Sequence, residues 1–552
     1  MLPVTSLAAQ RAAAPRASDA RLRLSRQSVP CWPCSAAPRR AQRPPAPQAA
    51  AGDAHMPHRG HASSFSTRGA PSSNVAERAK AFLATILDPV PGDAKASRFV
   101  GALCGVQFLW TLSGIMVQSY LPVYLKETLQ LSNTKIGDLE ALSLLMQKVC
   151  NFSSGIVGDM VGHKGIMLFG AALYALGRPM FAVTGSVYTA VGAVGVVYWL
   201  TAARVLDRVT KGFRDTPIKA LIVQRAGSNA AVALASKAAY QNLALALGGT
   251  FAGILFQLTG QSFVTNFTLA VVPAIAALVL CYTVPDPAAE ALASNDEAPA
   301  PTAASTPQTK PAAAAATRGG MLEKAKKMFA LATSGALQPA YWQAVAVFAV
   351  LFIARFEASF VSIRMVSVGT PKALLPMIAS AALLAQFFIG KLMGAWVDIK
   401  GQFSRPEGFT VEEHMRRRNT SFVAGFAALV AANAAFVFLG SVPGMVVGYF
   451  LIALHMGMTH ALIGATLQSY VPKELKGTAF SLFDITAAGS LFLGNMMAGR
   501  TATFTENLGW GPVGCFLMGG GATTVALAML IVFLKFGDLG KADRIVALKA
   551  KA

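Results

Sequence analysis

The sequence predicts an all-α membrane protein with 12 transmembrane helices in two six-helix, pseudo-symmetric halves. Of its 552 residues, 54% are hydrophobic and only 13% are charged, whereas soluble domains carry about 25% charged residues. Stretches without Asp, Glu, Lys or Arg reach 54 residues, from Asn419 to Pro472. A helix crosses the hydrocarbon in about 20 residues, so this stretch must hold two spans. A turn motif that occurs once in each half is the third observation, and it is described below.

Low-charge windows and their Gly, Pro and charged boundaries predict six spans on each side of a linker. The predicted spans are 99–125, 135–158, 165–184, 190–222, 229–257 and 263–284, then 341–367, 372–397, 417–440, 444–470, 476–500 and 507–536. The two halves are therefore 99–285 and 341–537. Residues 538–552 form a basic tail.

Residues 1–78 resemble a targeting segment and are excluded from the predicted fold. They contain 11 Arg, no Lys, three acidic residues and no apolar run. An Arg-rich, Ser-rich and acid-poor leader is typical of an organellar transit peptide. We therefore expect a multi-pass organellar membrane protein, with the plastid envelope favoured over the mitochondrial inner membrane. A disordered cytosolic tail is the alternative.

The segment 286–340 separates the two halves. Its first part is rich in Ala, Pro and Thr and has no apolar periodicity, so it cannot bury a core and is predicted to be a disordered linker. Its second part places Lys324, Lys326 and Lys327 beside apolar residues. This pattern predicts a short amphipathic helix on the membrane surface, with an ordinary solvated helix as the alternative.

With 12 spans both termini lie on one face of the membrane. The connections on that face contain most of the loop Lys and Arg residues, including Arg416, Arg417 and Arg418. Positively charged loops remain on the side from which a protein inserts. The termini are therefore predicted to face the cytosol, or the stroma or matrix of an organelle.

A G-x3-D-x2-G motif follows both the second and the eighth span. Its residues are Gly155, Asp159, Gly162 and Lys164 in the first copy and Gly394, Asp398 and Gly401 in the second. Glycines permit a tight turn and close helix approach, and an Asp at a helix end can pair with a base or a helix N-terminus on a neighbouring span. Such a pair would close one face of the protein, so we interpret the motif as a gate. A polar turn without a gating role is the alternative.

These motifs and the six-plus-six layout resemble the major facilitator superfamily of secondary transporters, over about residues 99–537. The first copy has Met160 where a basic residue often follows the Asp, and the second lacks the final basic pair. The stretch from Arg204 to Pro217 also resembles a fourth-span motif of bacterial-type members. The resemblance implies alternating access, with a substrate site between the halves near the membrane midplane.

Two stripes are candidates for lining that site. Arg204, Arg208 and Lys211 share one helical face. If the fourth span continues to about Ile222 they line the cavity, and if it ends near Leu206 they lie in a loop. The second stripe, in the first span, could contact solute or pack against another helix. Its candidate residues are Gln107, Thr111 and Gln118.

Span seven carries Arg355, Glu357 and Arg364 inside an apolar window, and span eleven carries Asp484. Ionisable groups at that depth are costly, so a functional role is the default interpretation. We assign Arg355 to the substrate cavity and treat Glu357 and Asp484 as proton-coupling candidates. In a continuous helix Glu357 and Arg364 would share a face. A purely structural ion-pair network is the alternative.

No enzyme signature is present: the chain has no G-x-S-x-G, no phosphate-cradling loop and no H-E-x-x-H. We expect no cofactor, no metal and no nucleic-acid partner. The predicted function is secondary active transport of a small solute, an organic anion, because bases outnumber acids between Arg204 and Asp215. The expected partners are this solute, protons and the lipid bilayer. The alternatives are an exporter of amphipathic or cationic compounds and a non-transporting receptor or assembly factor built on the same fold.

Overall fold

The computed structural model describes residues 88–285 except Pro91, residue 330, and residues 337–397, 411–471 and 475–549. The predicted leader, nearly all of the predicted linker, and Asp398 and Gly401 lie outside the described residues. Within these ranges the protein consists of helices and short connections, without β-strands.

Twelve long helices are present among the described residues, and each corresponds to one predicted span. They are α1 (Ala94–Thr128), α2 (Asn133–Val161), α3 (His163–Ala182), α4 (Thr184–Ala226), α5 (Ala230–Leu258), α6 (Phe263–Thr283), α7 (Pro339–Ser367), α8 (Leu374–Val397), α9 (Val411–Phe438), α10 (Val442–Ser469), α11 (Lys476–Asn507) and α12 (Gly514–Lys535). The fourth is broken at Gly192, whose φ of 70° and ψ of −174° are not helical. A further helix, α13 (Asp538–Lys549), occupies the predicted basic tail. The six-plus-six prediction is confirmed.

All of the 12 except α2 are apolar enough to cross a membrane by length and composition. Helix α2 has 29 residues, which is more than the length needed, but it includes Asp138, Glu140 and Lys148. Its polar side chains contact other helices, as described below. A span whose polar residues face a protein partner need not be apolar all round.

Helix α1 begins and ends on opposite sides of the bundle, and so does every following span. We call the side that carries the start of α1 and the end of α12 the terminal face, and the other side the opposite face. The turn from α2 to α3, on the terminal face, is made by Gly162 at φ 100°. A residue with a Cβ is strained in that conformation, so the motif glycine is required here by backbone geometry.

The two halves meet mainly towards the opposite face. There, α2 packs against α11 and α5 against α8. A Cβ added to Gly137 would lie 2.6 Å from the carbonyl oxygen of Asn495, and one added to Gly249 would lie 2.6 Å from that of Pro376. Small residues at these positions let the backbones of the two halves approach closely.

Ion pairs reinforce the contact on the opposite face. Lys126 bonds Glu506 at 2.8 Å, Lys372 bonds Glu127 at 2.6 Å, and Arg500 bonds Asp138 at 2.7 Å. Towards the terminal face, the described residues form one ion pair between the halves, from Lys148 to Asp484 at 3.4 Å. The halves are therefore held together more firmly on the opposite face than on the terminal face.

Helix α7 is interrupted in its middle, which the sequence did not predict. Its two helical pieces are Pro339–Ala354 and Ser359–Ser367. Arg355 takes φ −93° and ψ 54°, outside the helical region. The shared face predicted for Glu357 and Arg364 was wrong, because it assumed an unbroken helix.

The other large difference lies between α11 and α12, which were predicted as 476–500 and 507–536. Helix α11 runs to Asn507, and α12 begins at Gly514. Arg500 and Glu506 remain inside α11 because they bond residues of the other half. A prediction from charge-free windows ends a span too early when a charged residue lies within the helix and bonds across an interface.

Candidate functional site

A cavity of about 570 Å³ lies between the two halves. Helices from both halves line it, and much of its surface is apolar. Its lining includes the titratable side chains of Arg204, Lys211, Arg355, Glu357, His455 and His460. A cavity of this size and composition is typical of a small-molecule site.

Helix α4 continues without interruption through its charged stretch to Ala226. The charges from Arg204 onward therefore lie on a helix, as the cavity interpretation required. Arg204 and Lys211 line the cavity. Arg208 is buried beside it, at 5% exposure.

Two of the buried arginines of α4, Arg204 and Arg208, are neutralised by carboxylates. Arg204 donates to both carboxylate oxygens of Glu140, the closer at 2.8 Å, and lies 3.4 Å from Asp207. Asp207 in turn accepts from Arg178 at 2.7 Å. Arg178 is 1% exposed and held in the protein interior by this pair. Each charge is therefore removed from water together with a partner, as buried charges must be.

Glu140 is the residue of this network that sequence reasoning missed. It belongs to α2, is fully buried, and accepts from Arg204, Arg208 and Ser359. Its position inside the predicted span 135–158 was the available signal, because a carboxylate within a span is itself a functional hypothesis. Its partners, 64 or more positions away, could not be read from spacing.

One buried ion pair joins the two halves at the centre of the protein. Arg208 of α4 donates to Glu357 of α7 at 2.8 Å. Beside it, the hydroxyl of Ser359 donates to Glu140 at 2.9 Å. The backbone N–H of Glu357 also donates to the side chain of Asn495. Glu357 is thus fixed at the break in α7, facing the N-terminal half.

Arg355 lies on the same break but has no carboxylate partner among the described residues. Its Nε–H donates to His455 Nε2 at 2.9 Å, and its Nη2 donates to the hydroxyl of Thr459 at 2.6 Å. His455 Nδ1 lies 2.7 Å from the carbonyl oxygen of Gly425. Both partners of the guanidinium are therefore uncharged groups of α10.

The remaining candidates of span seven and span eleven lie outside the cavity lining. Arg364 donates to the carbonyl oxygen of Phe436 at 3.0 Å. Asp484 is 52% exposed and pairs with Lys148. Of the two proton-coupling candidates, Glu357 is the one that the structure brings into the cavity.

The polar stripe of α1 lies only partly in the cavity. Gln118 lines the cavity. Gln107 is 5% exposed and donates to the hydroxyl of Thr111 at 3.0 Å, and neither belongs to the cavity lining. Gln107 and Thr111 therefore bond each other within α1, while Gln107 Oε1 has no hydrogen-bond partner among the described residues.

The described motif residues are at the terminal face, at or beside the ends of α2 and α8. Gly155 and Asp159 lie in the last turns of α2, and Lys164 lies in the first turn of α3. Gly394 lies in the last turn of α8. Its partners Asp398 and Gly401 are outside the described residues.

Each wall of the cavity carries one cation that forms no ion pair among the described residues. On the N-terminal wall Arg204 and Arg208 are matched by Glu140, Asp207 and Glu357, and Lys211 is the unmatched cation. On the C-terminal wall Arg355 retains an unmatched positive charge. A positive cavity within a membrane protein favours anions over cations.

Solved structures with the same fold are transporters. The chain is similar to a POT family transporter in complex with 5-aminolevulinic acid, with 13% identity, a TM-score of 0.57, and coverage of 82% of this chain and 99% of that chain. It is also similar to the nucleoside transporter NupG, with 13% identity, a TM-score of 0.54, and coverage of 79% and 99%. It is similar as well to a peptide transporter POT in complex with sulfate, with 15% identity, a TM-score of 0.56, and coverage of 82% of this chain and 98% of that chain. At these identities the likeness shows the fold alone.

A search among curated protein sequences found no match to this chain. The profile of the Major Facilitator Superfamily, by contrast, matches residues 103–495, which is well over half of the chain. The matched region includes the central charge network and the cavity. The chain therefore belongs to the Major Facilitator Superfamily, a family of membrane transporters and not of enzymes.

Proposed function

We propose that the protein is a secondary active transporter of a small organic anion that works by alternating access. The observation that carries the proposal is the ion pair from Arg208 to Glu357, which links the two halves. It lies beside a cavity large enough for a small-molecule ligand. Alternating access requires the halves to rock about a central site. A link that can break and re-form at that site would control the movement.

The charge of the cavity supports an anionic solute. Arg204, Lys211 and Arg355 line it, whereas Glu357 is the carboxylate in the lining. An anion entering this cavity would replace water around the cations, while a cation would meet repulsion on the C-terminal wall. An exporter of cationic compounds would be better served by an acidic lining.

Glu357 is the proposed proton carrier. Its carboxylate is held by Arg208 at 2.8 Å. Protonation would remove the negative charge, weaken the pair and release α7 from α4, so that proton uptake and movement of the halves would be coupled. Asp484 is the reserve candidate, and its exposed pair with Lys148 lies on the terminal side of the cavity.

Uptake into proteoliposomes tests this function. A panel of anions and cations would be supplied with and without an imposed pH gradient. We expect anion accumulation that depends on the gradient, and we expect Glu357→Gln to lose accumulation while retaining exchange across the membrane. Asp484→Asn is the matched control, and if it alone shows the uncoupled behaviour the role moves to Asp484.

Three outcomes would contradict parts of the proposal. Gradient-driven accumulation in both variants would exclude proton coupling through these groups and leave facilitated diffusion. Uptake of cations in preference to anions would support the exporter alternative. Absence of uptake for every solute would support a receptor or assembly factor built on this fold.

The motif at the terminal face is the proposed gate for that side. We expect Asp159→Asn and Asp398→Asn each to slow transport without preventing insertion, because each would lose a contact of about 1 to 2 kcal/mol in one of two states of similar energy. Labelling of a cysteine placed in the cavity reports the balance between the states. If labelling and the transport rate are unchanged in both variants, the motif is a polar turn without a gating role.

The proposed location is an organellar membrane, with the plastid envelope favoured. The support is the composition of residues 1–78, which contain 11 Arg and no Lys. N-terminal sequencing of the native membrane protein should begin roughly 50 to 80 residues after Met1. A native protein that begins at Met1 or Leu2 would contradict a cleaved leader.

A further inference from the structure

Two cations in the cavity form no ion pair with any of the residues that the structure describes, and they belong to different halves. Lys211 is on α4 of the N-terminal half, and Arg355 is at the break in α7 of the C-terminal half. Both line the cavity, and among the described residues neither forms an ion pair. By contrast, Arg204 and Arg208 each bond Glu140 and one further carboxylate.

The surroundings of Arg355 keep its charge available. His455 Nδ1 must donate its hydrogen to the carbonyl oxygen of Gly425, because a carbonyl oxygen only accepts. His455 Nε2 is then the acceptor of a neutral imidazole, and it receives the Nε–H of Arg355. Together with Thr459, it fixes the orientation of the guanidinium without neutralising it.

Part of the guanidinium is left for a ligand. An arginine has five N–H groups, and His455 and Thr459 take two of them. The others can bond both oxygens of a carboxylate or two oxygens of a phosphate, which is the geometry that arginine favours. The break in α7 places this group in the cavity wall, between two helical pieces.

Lys211 offers the second contact from the facing half. It lies on the cavity side of α4, about one helical turn beyond Arg208 and on the same stripe. Its ammonium is a mobile point charge with three donors. Within the membrane an unpaired ammonium is costly, so a ligand that supplies a negative charge would be favoured there.

We propose that the cavity binds a small dianion, such as a dicarboxylate, with one anionic group on Arg355 and the other on Lys211. This deepens the proposed transport function, on which its physiological meaning rests. A dianion bound in this way joins the two halves, so it is held most firmly when they close around it. A monoanion satisfies one cation and leaves the other unpaired.

Binding to the purified full-length protein in detergent tests the proposal by calorimetry. The dianionic probes are malonate, succinate and glutarate, and butyrate is the monoanionic probe. We expect at least one dianion to bind about ten-fold or more tightly than butyrate, since a charge-assisted contact distinguishes them. If none of the three dianions binds the wild-type protein, the proposal is wrong.

Three variants assign the two ends of the ligand. Lys211→Gln should abolish the preference for the dianion and leave butyrate binding unchanged. Arg355→Gln should abolish binding of both, and Arg355→Lys should restore part of it. Arg364→Gln is the matched control on the same helix, because Arg364 bonds the carbonyl of Phe436 and lies outside the cavity lining.

Retention of the dianion preference in Lys211→Gln, or wild-type binding in Arg355→Gln, would overturn the assignment. The melting temperature of each variant establishes that loss of binding is not loss of fold. Binding in detergent does not require transport, so the two proposals fail separately. Dianion binding without uptake would contradict the transport proposal alone, and uptake with wild-type behaviour of both variants would contradict this inference alone.

Discussion

Helices α4 and α7 both place arginines at the centre of the helical bundle, but these arginines bond to different kinds of partner. On α4, Arg204 and Arg208 are bonded to Glu140 and to Asp207 or Glu357. On α7, Arg355 is bonded to an uncharged imidazole and a hydroxyl. Two arginines of the densest charged stretch are therefore compensated by carboxylates, whereas Arg355 is left for a ligand.

This difference changes the expected role of Arg204. From sequence alone, Arg204 was a candidate for lining the substrate cavity, with its charge available to an anion. In the structure the charge of Arg204 is already neutralised by Glu140, whose two carboxylate oxygens both lie within hydrogen-bonding distance. The charge that a residue brings to a cavity depends on its partners, and these come from other helices.

Loss of Glu140 should have the largest effect. Glu140→Gln would leave Arg204 and Arg208 buried with one carboxylate fewer, and breaking a buried pair in this way costs about 3–5 kcal/mol. We expect a marked loss of folded protein on heating in detergent, measured by size-exclusion chromatography.

Asp138→Asn is the matched control for that prediction. Asp138 is on the same helix, but its pair with Arg500 is about half exposed on both sides, so its loss should cost less than about 1 kcal/mol. Equal stability of the two variants would mean that the α4 charges are not held by Glu140.

The contact from α7 to the same carboxylate should have the next largest effect. Ser359→Ala removes a donor to Glu140 across the interface between the halves, and a hydrogen bond to a charged group contributes about 1.5–3 kcal/mol. The thermal midpoint should fall, whereas Ser362→Ala, on the same helical piece and also in the cavity lining, should leave it unchanged. A smaller effect of Ser359→Ala than of Ser362→Ala would remove this link between α7 and the α4 network.

Arg355→Gln should affect stability less than either change. It breaks two charge-assisted hydrogen bonds, but it also removes a charge that no carboxylate neutralises among the described residues, and relief of the desolvation cost of that charge offsets the loss. The same thermal assay measures it beside Glu140→Gln. If Arg355→Gln is as destabilising as Glu140→Gln, Arg355 is a structural residue and the contrast between α4 and α7 disappears.

The smallest effect is expected at the opposite face. Glu506→Gln weakens a partly exposed pair with Lys126, which is worth about 0.2–1 kcal/mol. Stability should change little, but labelling of a cysteine placed on the opposite face should increase, because closure on that side loses a contact. Lys541→Gln is the control, since its pair with Asp538 lies within α13. Equal labelling of both variants would show that the Lys126 pair does not hold the halves.

The sequence was a good guide to the helices. Most predicted spans agree with the structure within a few residues, because an apolar stretch of about 20 residues must form its backbone hydrogen bonds internally in lipid. The largest errors lie where a charge is bonded inside an interface, as at Arg500 and Glu506, or where a helix unwinds, as at Arg355.

The amino-acid sequence by itself predicted 12 spans in two related halves and placed Arg355 and Glu357 inside an apolar window, but it left open whether Arg204 and Lys211 lie on the fourth span or in a loop. The tertiary structure decided which of these charges are neutralised. Glu140 meets Arg204, and Arg208 meets Glu357, only because helices distant in sequence pack together. Helical periodicity fixes which residues of one helix share a face, but it carries no information about which face of another helix lies opposite.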